Sequence, residues 1–321
     1  MSIVARWAVL LLSTFCATAF AQSFPDKPIR LVVPYAPGGG TDNLVRIIAP
    51  TVGGALGQQL VIENRPGGAS NIGSEIVAKA APDGYTLLAT DLALLVNPGL
   101  FKAKMPFDTL RSFTGVTMLA FAPVILVTHP SVPAANLAEL LAQARVKPGA
   151  LNYASGGYGA STHLAGELLN QAAKVSITHV PYKGTGPAMT DLLGGQVHMQ
   201  FAGISSARQH IEAGKLRAIA VTGKLRNPAM PNVPTFDESG VPGIDADTYW
   251  GLYAPAGVPP AALAALNKAF TDALRSPAHA GRLAALGFIP IANSASEHTL
   301  QLRDAIARWT AVIDKANIKI E

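Results

Sequence analysis

Twice in this chain a β-branched run leads through a glycine-rich loop into the start of an amphipathic helix. The first passage is Ile29–Pro34, then Pro37-Gly38-Gly39-Gly40, then a helix opened by Thr41-Asp42 with Leu44, Val45, Ile47 and Ile48 on one side. The second is Leu151–Ala154, then Ser155-Gly156-Gly157-Tyr158-Gly159-Ala160, then a helix over Ser161–Ala172. A strand that feeds a helix through such a loop belongs to a parallel sheet with covering helices. The remaining segments agree. Gln59–Glu63 and Tyr85–Thr90 read as strands around a helix at Ser70–Ala80. In the second half Phe121–Thr128, Ser176–Val180, Val197–Phe201 and Leu216–Thr222 read as strands, with helices at Leu137–Ala144, Pro187–Leu193 and Ser206–Ala213. Asp247–Tyr253 is one more extended run, and the tail holds helices at Pro260–Arg275, His279–Leu286 and Ser296–Ala316. The pattern predicts two similar α/β lobes that face each other. Thr41 or Asp42 is expected to cap the first helix, and Pro50 to kink it or end it early. Asp83-Gly84 and Asn97-Pro98 read as turns.

The two glycine loops are the candidate chemistry. Glycine lets the backbone approach a ligand closely. The helix that follows leaves its first N–H groups without internal partners, and its dipole adds partial positive charge there. A carboxylate or phosphate can be held by these groups alone; a plain tight turn between strand and helix explains one such loop equally well. The Ser161 and Thr162 hydroxyls add donors to the second loop. Thr162 stands where a dinucleotide-binding fingerprint needs its third glycine, so that reading fails, and neither loop ends in the Gly-Lys-Ser/Thr of a P-loop. The chain contains no Gly-x-Ser-x-Gly and no His-Glu-x-x-His. Its 7 histidines are dispersed. His163 lies nearest the second loop, where orienting that loop is its expected role. Trp250 and Tyr253 read as core or hinge residues rather than ligand contacts.

The N-terminus bears on the compartment. Met1–Ala21 has a basic residue at Arg6, an apolar run over Trp7–Phe15 and the small-x-small sequence Ala19-Phe20-Ala21, the pattern of a cleaved signal peptide. The apolar run is shorter than the ~20 residues a bilayer span needs. Cys16, the only cysteine, falls inside that leader. The mature chain would then have neither disulfides nor thiolate metal sites. The rest of the 321 residues exceeds the usual size of one domain. The net charge of +5 is scattered, with no basic run, which excludes the electrostatic footprint of a nucleic-acid binder.

The run Phe24-Pro-Asp-Lys-Pro-Ile-Arg-Leu-Val-Val-Pro-Tyr-Ala-Pro-Gly-Gly-Gly-Thr-Asp42 resembles the opening of the Bug family, the periplasmic solute receptors of tripartite tricarboxylate transporters. Val61-Ile-Glu-Asn-Arg-Pro-Gly-Gly-Ala-Ser-Asn-Ile-Gly73, Ala81-Pro-Asp-Gly-Tyr-Thr-Leu-Leu88, Tyr153–Glu167, Val180-Pro-Tyr-Lys-Gly-Thr-Gly-Pro-Ala188 and Val233-Pro-Thr-Phe236 are similar to later stretches of the same family, in the same order. The resemblance implies a type II periplasmic-binding-protein fold: two α/β lobes with mixed sheets, joined by two crossing strands near Phe121–Thr128 and Asp247–Tyr253. Lobe 1 would comprise residues 22–122 plus 246–321, and lobe 2 residues 123–245.

It further implies a small carboxylate as solute, with Tyr35, Pro37, Gly38, Gly39 and Asp42 on the first lobe and Ser155, Gly157, Gly159, Ser161 and Thr162 facing them. Tyr182, Lys183 and Gly203 are further candidates from the second lobe. The implied partners are the membrane subunits of a transporter, or a sensor protein. The implied state is a periplasmic monomer that is not an enzyme and has no cofactor, no metal and no nucleic-acid partner. An exported hydrolase with an unrecognised site is the rival class.

One position departs from the family pattern. Thr90-Asp91 ends the third strand where the family usually presents small uncharged polar residues. A carboxylate there would repel an acidic distal group and welcome an ammonium or a hydroxyl. The expected solute then carries an amine, or is a monocarboxylate with a polar tail. The alternative is that Asp91 caps the helix that follows.

Overall fold

The computed structural model describes residues 24–316; the expected leader and Cys16 lie outside the described residues. Two mixed sheets organise the chain. The first contains β1 (Ile29–Val33), β2 (Leu60–Asn64), β3 (Thr86–Thr90), β4 (Phe113–Ala122), β10 (Thr248–Pro255) and β11 (Ile289–Pro290), in the order β11-β4-β10-β3-β1-β2. The second contains β5 (Val124–Thr128), β6 (Asn152–Ser155), β7 (Thr178–Pro181), β8 (Met199–Gly203) and β9 (Arg217–Val221), in the order β7-β6-β8-β5-β9. In the first sheet β2, β1 and β3 run parallel, β10 pairs antiparallel with both β3 and β4, and β11 pairs antiparallel with β4. In the second, β7, β6 and β8 run parallel, and β5 pairs antiparallel with both β8 and β9. Each sheet therefore keeps a parallel core in which strand ends and helix starts gather at one edge.

The helices follow from the apolar spacing. In α1 (Gly40–Leu56) Leu44, Val45, Ile47, Ile48 and Val52 are buried, and Gly57, in the left-handed region at φ 66°, ends the helix. The expected early stop at Pro50 does not occur: the helix runs through it to Leu56. Nor does Thr41 or Asp42 cap this helix. It begins at Gly40 with Gly39 as its N-cap and no side-chain cap. Asn97-Pro98 is not a turn; both residues lie within α3 (Ala93–Phe101), which follows α2 (Asn71–Ala78). Helix α4 (Thr109–Ser112), strand β11 and all of strand β4 before Phe121 had no sequence signal. The expected single strand over Phe121–Thr128 is two, broken at Pro123, whose missing N–H cannot join a ladder.

The helices α5 (Leu137–Val146), α6 (Ser161–Ala173), α7 (Thr185–Leu193) and α8 (Ile204–Glu212) cover the second sheet. The tail helices α9 (Pro260–Arg275), α10 (Pro277–Ala285) and α11 (Ala295–Ala316) return to the first. Among the described residues, no helix is long and apolar enough to cross a membrane.

The chain crosses between sheets at Pro123 and again over residues 222–247. Thr222 ties the two crossings together. Its Oγ1 accepts from Val124 N–H at 2.8 Å and donates to Asp247 Oδ1 at 2.7 Å, while its own N–H donates to the Val124 carbonyl at 2.8 Å. Beside them Phe121 stacks on Tyr249 at 5.7 Å. The fold is the two-lobed α/β architecture with paired crossings.

Candidate functional site

Four helices start toward one small cavity between the sheets. Their N-caps are Gly39 for α1, Ala160 for α6, Gly184 for α7 and Gly203 for α8, and none carries a side-chain cap. Three other helices use capping side chains, Asp108 for α4, Asn136 for α5 and Ser276 for α10, each accepting a backbone N–H, while α2, α3 and α9 also lack one. At the cavity, the N–H groups of Gly40, Thr41, Ser161, Thr162 and Thr185 have no partner among the described residues. First-turn N–H groups left this way, at the positive ends of helix dipoles, form an anion site.

The cavity has a volume of about 30 Å³, room for about two waters. Its first-lobe wall is Tyr35, Gly39, Gly40, Thr41 and Asp91; its second-lobe wall includes Gly156, Ala160, Ser161, Thr162, Thr185 and Gly203. Thr248 and Trp250, on the returning strand β10, close the side. Hydroxyls line it. Thr41 Oγ1 accepts from Trp250 Nε1 at 3.0 Å, and Thr162 Oγ1 accepts from Gly156 N–H at 2.9 Å, which leaves both hydroxyl protons for another acceptor. Ser161 and Thr248 share a short hydrogen bond. No lysine or arginine lines the cavity.

Asp91 is the one ionisable acid in this wall, and it is only 8% exposed. Its Oδ1 accepts from Ala93 N–H at 2.9 Å and from the Tyr35 hydroxyl in a short bond. Its Oδ2 accepts no hydrogen bond from the described residues. Asp91 thus bonds the first residue of α3, whose N-cap is Leu92, and also lines the cavity. Burial pushes its carboxyl up to about 6, although the bonds from Tyr35 and Ala93 oppose the shift. Burial, and then the charge of Asp91, holds the Tyr35 phenol well above its usual range.

The lobes touch around this cavity. Ala36 N–H donates to the Lys183 carbonyl at 2.9 Å. A Cβ at Gly39 would stand 2.9 Å from Thr185 Oγ1, one at Gly184 3.1 Å from Ala36 N, and one at Gly186 would run into the Pro37 carbonyl oxygen. Gly159, in the left-handed region at φ 77°, packs against Asn97 across the same divide. At Gly184 and Gly186 the obstacle is backbone and the close approach calls for glycine; at Gly39 it is the end of a threonine side chain.

The sequence candidates distribute unevenly. Tyr35, Gly39, Asp91, Ser161, Thr162 and Gly203 line the cavity. Pro37 and Gly38 line a separate open groove of about 1070 Å³ on the outer side of α1. That groove is the larger and more open to solvent; of its three arginines Arg46 and Arg208 are paired with Asp42 and Glu212, and Arg282 is exposed. The smaller and less open cavity, with bare helix ends and residues of both lobes in its wall, is the candidate site.

Asp42 turns away from the cavity and accepts from Gly38 N–H at 3.1 Å, Arg46 Nε at 2.9 Å and Asn64 Nδ2 at 3.0 Å. Burial alone would raise its carboxyl; those bonds outweigh it and hold the group below the usual range. Thr90 is buried beside Asp91 without lining the cavity. Ser155, Gly157 and Gly159 form the frame behind the wall. Ser155 Oγ accepts from Gly157 N–H at 3.1 Å and bonds His179 Nε2 at 2.7 Å, and Gly159 N–H donates to His163 Nδ1 at 3.3 Å. His163 and His179 stack at 4.3 Å. Burial lowers His163 to about 4, and burial followed by the neighbouring His163 lowers His179 to about 3. Tyr182 directs its hydroxyl to Asp191 Oδ2 at 2.7 Å, and Lys183 contributes its carbonyl to the lobe contact while its side chain is exposed.

Sequence reasoning missed Gly40, Thr41, Gly156, Ala160, Thr185, Thr248 and Trp250 as wall residues. Trp250, read only as core, is both buried and part of the wall. Thr185 had a signal: Val180-Pro-Tyr-Lys-Gly-Thr-Gly186 is a third passage from strand through glycine to helix, hidden because α7 was expected to start at Pro187.

A family model described as "Tripartite tricarboxylate transporter family receptor" (TctC) matches residues 44–318. The protein BugT of Bordetella pertussis is 34% identical over 306 residues, 95% of this chain and 94% of that one. Among solved structures, the periplasmic binding protein BugD superposes with a TM-score of 0.88 at 33% identity, covering 93% of this chain and 100% of that one. The R. palustris protein Rpa4515, solved with adipate, gives a TM-score of 0.88 at 34% identity, covering 92% and 99%. These relatives are binding proteins and not enzymes. The two-lobed fold and the matches across nearly its whole length make this chain a member of the TctC/Bug family of periplasmic solute-binding receptors.

Proposed function

We propose that the protein captures a small carboxylate in the cavity between its lobes and hands it to a tripartite tricarboxylate-type transporter. The supporting observation is the convergence of four helix N-termini, all without a capping side chain, on one enclosed space walled by both lobes. A relative solved with adipate is consistent with this chemistry. In this reading residues 1–21 are a cleaved leader, lobe 1 is 22–122 plus 246–321, lobe 2 is 123–245, and the receptor acts as a monomer. The anion sits among Gly39, Gly40, Ser161, Thr162 and Thr185. Solute enters when the lobes part about the crossings at Pro123 and residues 222–247, and their closure buries it.

Thermal shift and calorimetry against a library of small carboxylates test the reading. A ligand present at 100 times its Kd adds about 2.7 kcal/mol to stability. Absence of any shift across the library refutes carboxylate capture. Reconstitution with the membrane subunits, scored by solute uptake, tests the transport step.

A further inference from the structure

The charge inventory of the cavity constrains what kind of carboxylate fits it, given that the carboxylate reading holds. Its wall contains one acid, Asp91, and no base. The bare helix ends supply partial positive charge, about half an elementary charge each, but no full cation stands among them. The Asp91 side chain is more than nine-tenths buried, and its Oδ1 is occupied by Tyr35 and Ala93 while Oδ2 has no partner among the described residues. A dicarboxylate would bring two further negative charges into a space that already holds one and offers no cation. A ligand carrying one carboxylate and one ammonium brings no net charge, and its ammonium supplies the donor that Oδ2 lacks.

We propose that Asp91 makes this receptor selective for small zwitterions: a carboxylate held at the bare helix ends and a protonated amine hydrogen-bonded to Asp91 Oδ2. Tyr35 acts as a positioning residue. Its hydroxyl donates to Oδ1 and holds the carboxylate in place, while Oδ2 is left without a partner among the described residues.

Matched ligand pairs test the proposal on the intact mature protein, freed of copurified solute by unfolding and refolding. Succinate and β-alanine, glutarate and 4-aminobutyrate, and propionate and alanine differ within each pair by the amine. Calorimetry is expected to show the amine-bearing member bound at least tenfold more tightly in every pair that binds. Asp91→Asn, which keeps an acceptor for Tyr35 and Ala93, is expected to reduce that preference to less than threefold. Dicarboxylates bound as tightly as their amine counterparts by the wild-type protein overturn the proposal, and so does a preference that survives Asp91→Asn. Those outcomes leave carboxylate capture standing. Failure of every acid in both classes removes capture and selectivity together. The wild-type comparison needs no variant, so a poorly folded Asp91→Asn protein does not shield the idea.

Discussion

Gly186 offers a substitution whose effects on folding and on binding have opposite signs. It is the second residue of α7, and its φ is not in the left-handed region. Alanine within a helix is worth up to about 1 kcal/mol over glycine, so at half-buried Gly186 the change to alanine taken alone stabilises the second lobe. The added Cβ meets the Pro37 carbonyl oxygen of the first lobe, well inside the ~3.3–3.6 Å at which carbon and a carbonyl oxygen normally come together. The obstacle is backbone and cannot rotate away, so the lobes must separate. Overpacking of this kind costs about 1–3 kcal/mol, and it falls on the closed form. A coupling of that size corresponds to a loss of about 5–150-fold in ligand affinity. Calorimetric titration with any carboxylate found to bind, together with a thermal melt of the ligand-free protein, reads both effects. The expected result is weakened binding with a melting temperature unchanged or raised. Affinity within twofold of the wild type would show that ligand capture does not require the contact between Pro37 and Gly186.

Asp42→Ala is expected to destabilise the protein by about 2 kcal/mol or more, because it strips partners from Gly38 N–H, Arg46 and Asn64; a chemical denaturation midpoint equal to wild type contradicts this. Acid should destabilise the fold through its buried imidazoles. Burial lowers His163 and His298 to about 4 and His179, also by its neighbour His163, to about 3. Their contribution is complete above the unfolded value of about 6.5 and is lost as pH falls through these folded values. Asp91 acts in the opposite sense, its stability contribution falling as pH rises through about 6, and Asp247, raised by burial, acts with it, but three imidazoles outweigh two carboxyls. Melting temperatures that stay flat between pH 7 and pH 4 refute the neutral burial of these histidines.

The sequence determined the local grammar of this protein. Glycine after a strand and before an apolar-periodic face announced the loops at Pro37–Gly40 and Ser155–Ala160, because backbone freedom and amphipathic spacing are properties of neighbouring residues. Long ordered motifs, from Phe24 through Phe236, announced the family and its two-lobed fold. What the sequence left open was settled by residues distant along the chain. Trp250 reaches Thr41 across 209 positions, and Thr248 meets Ser161 across 87. Asn97-Pro98 lies within a helix despite its turn-like residues because tertiary packing overrides a two-residue preference, and β4 became a strand by pairing with β10 and β11. Which face of Asp91 is occupied, and which is left toward the cavity, depends on Tyr35 lying beside it at the end of a neighbouring strand. Local pattern specifies where a helix begins; only the packed lobes decide that four such beginnings share one space, because that convergence exists in distances between segments and not in any one of them.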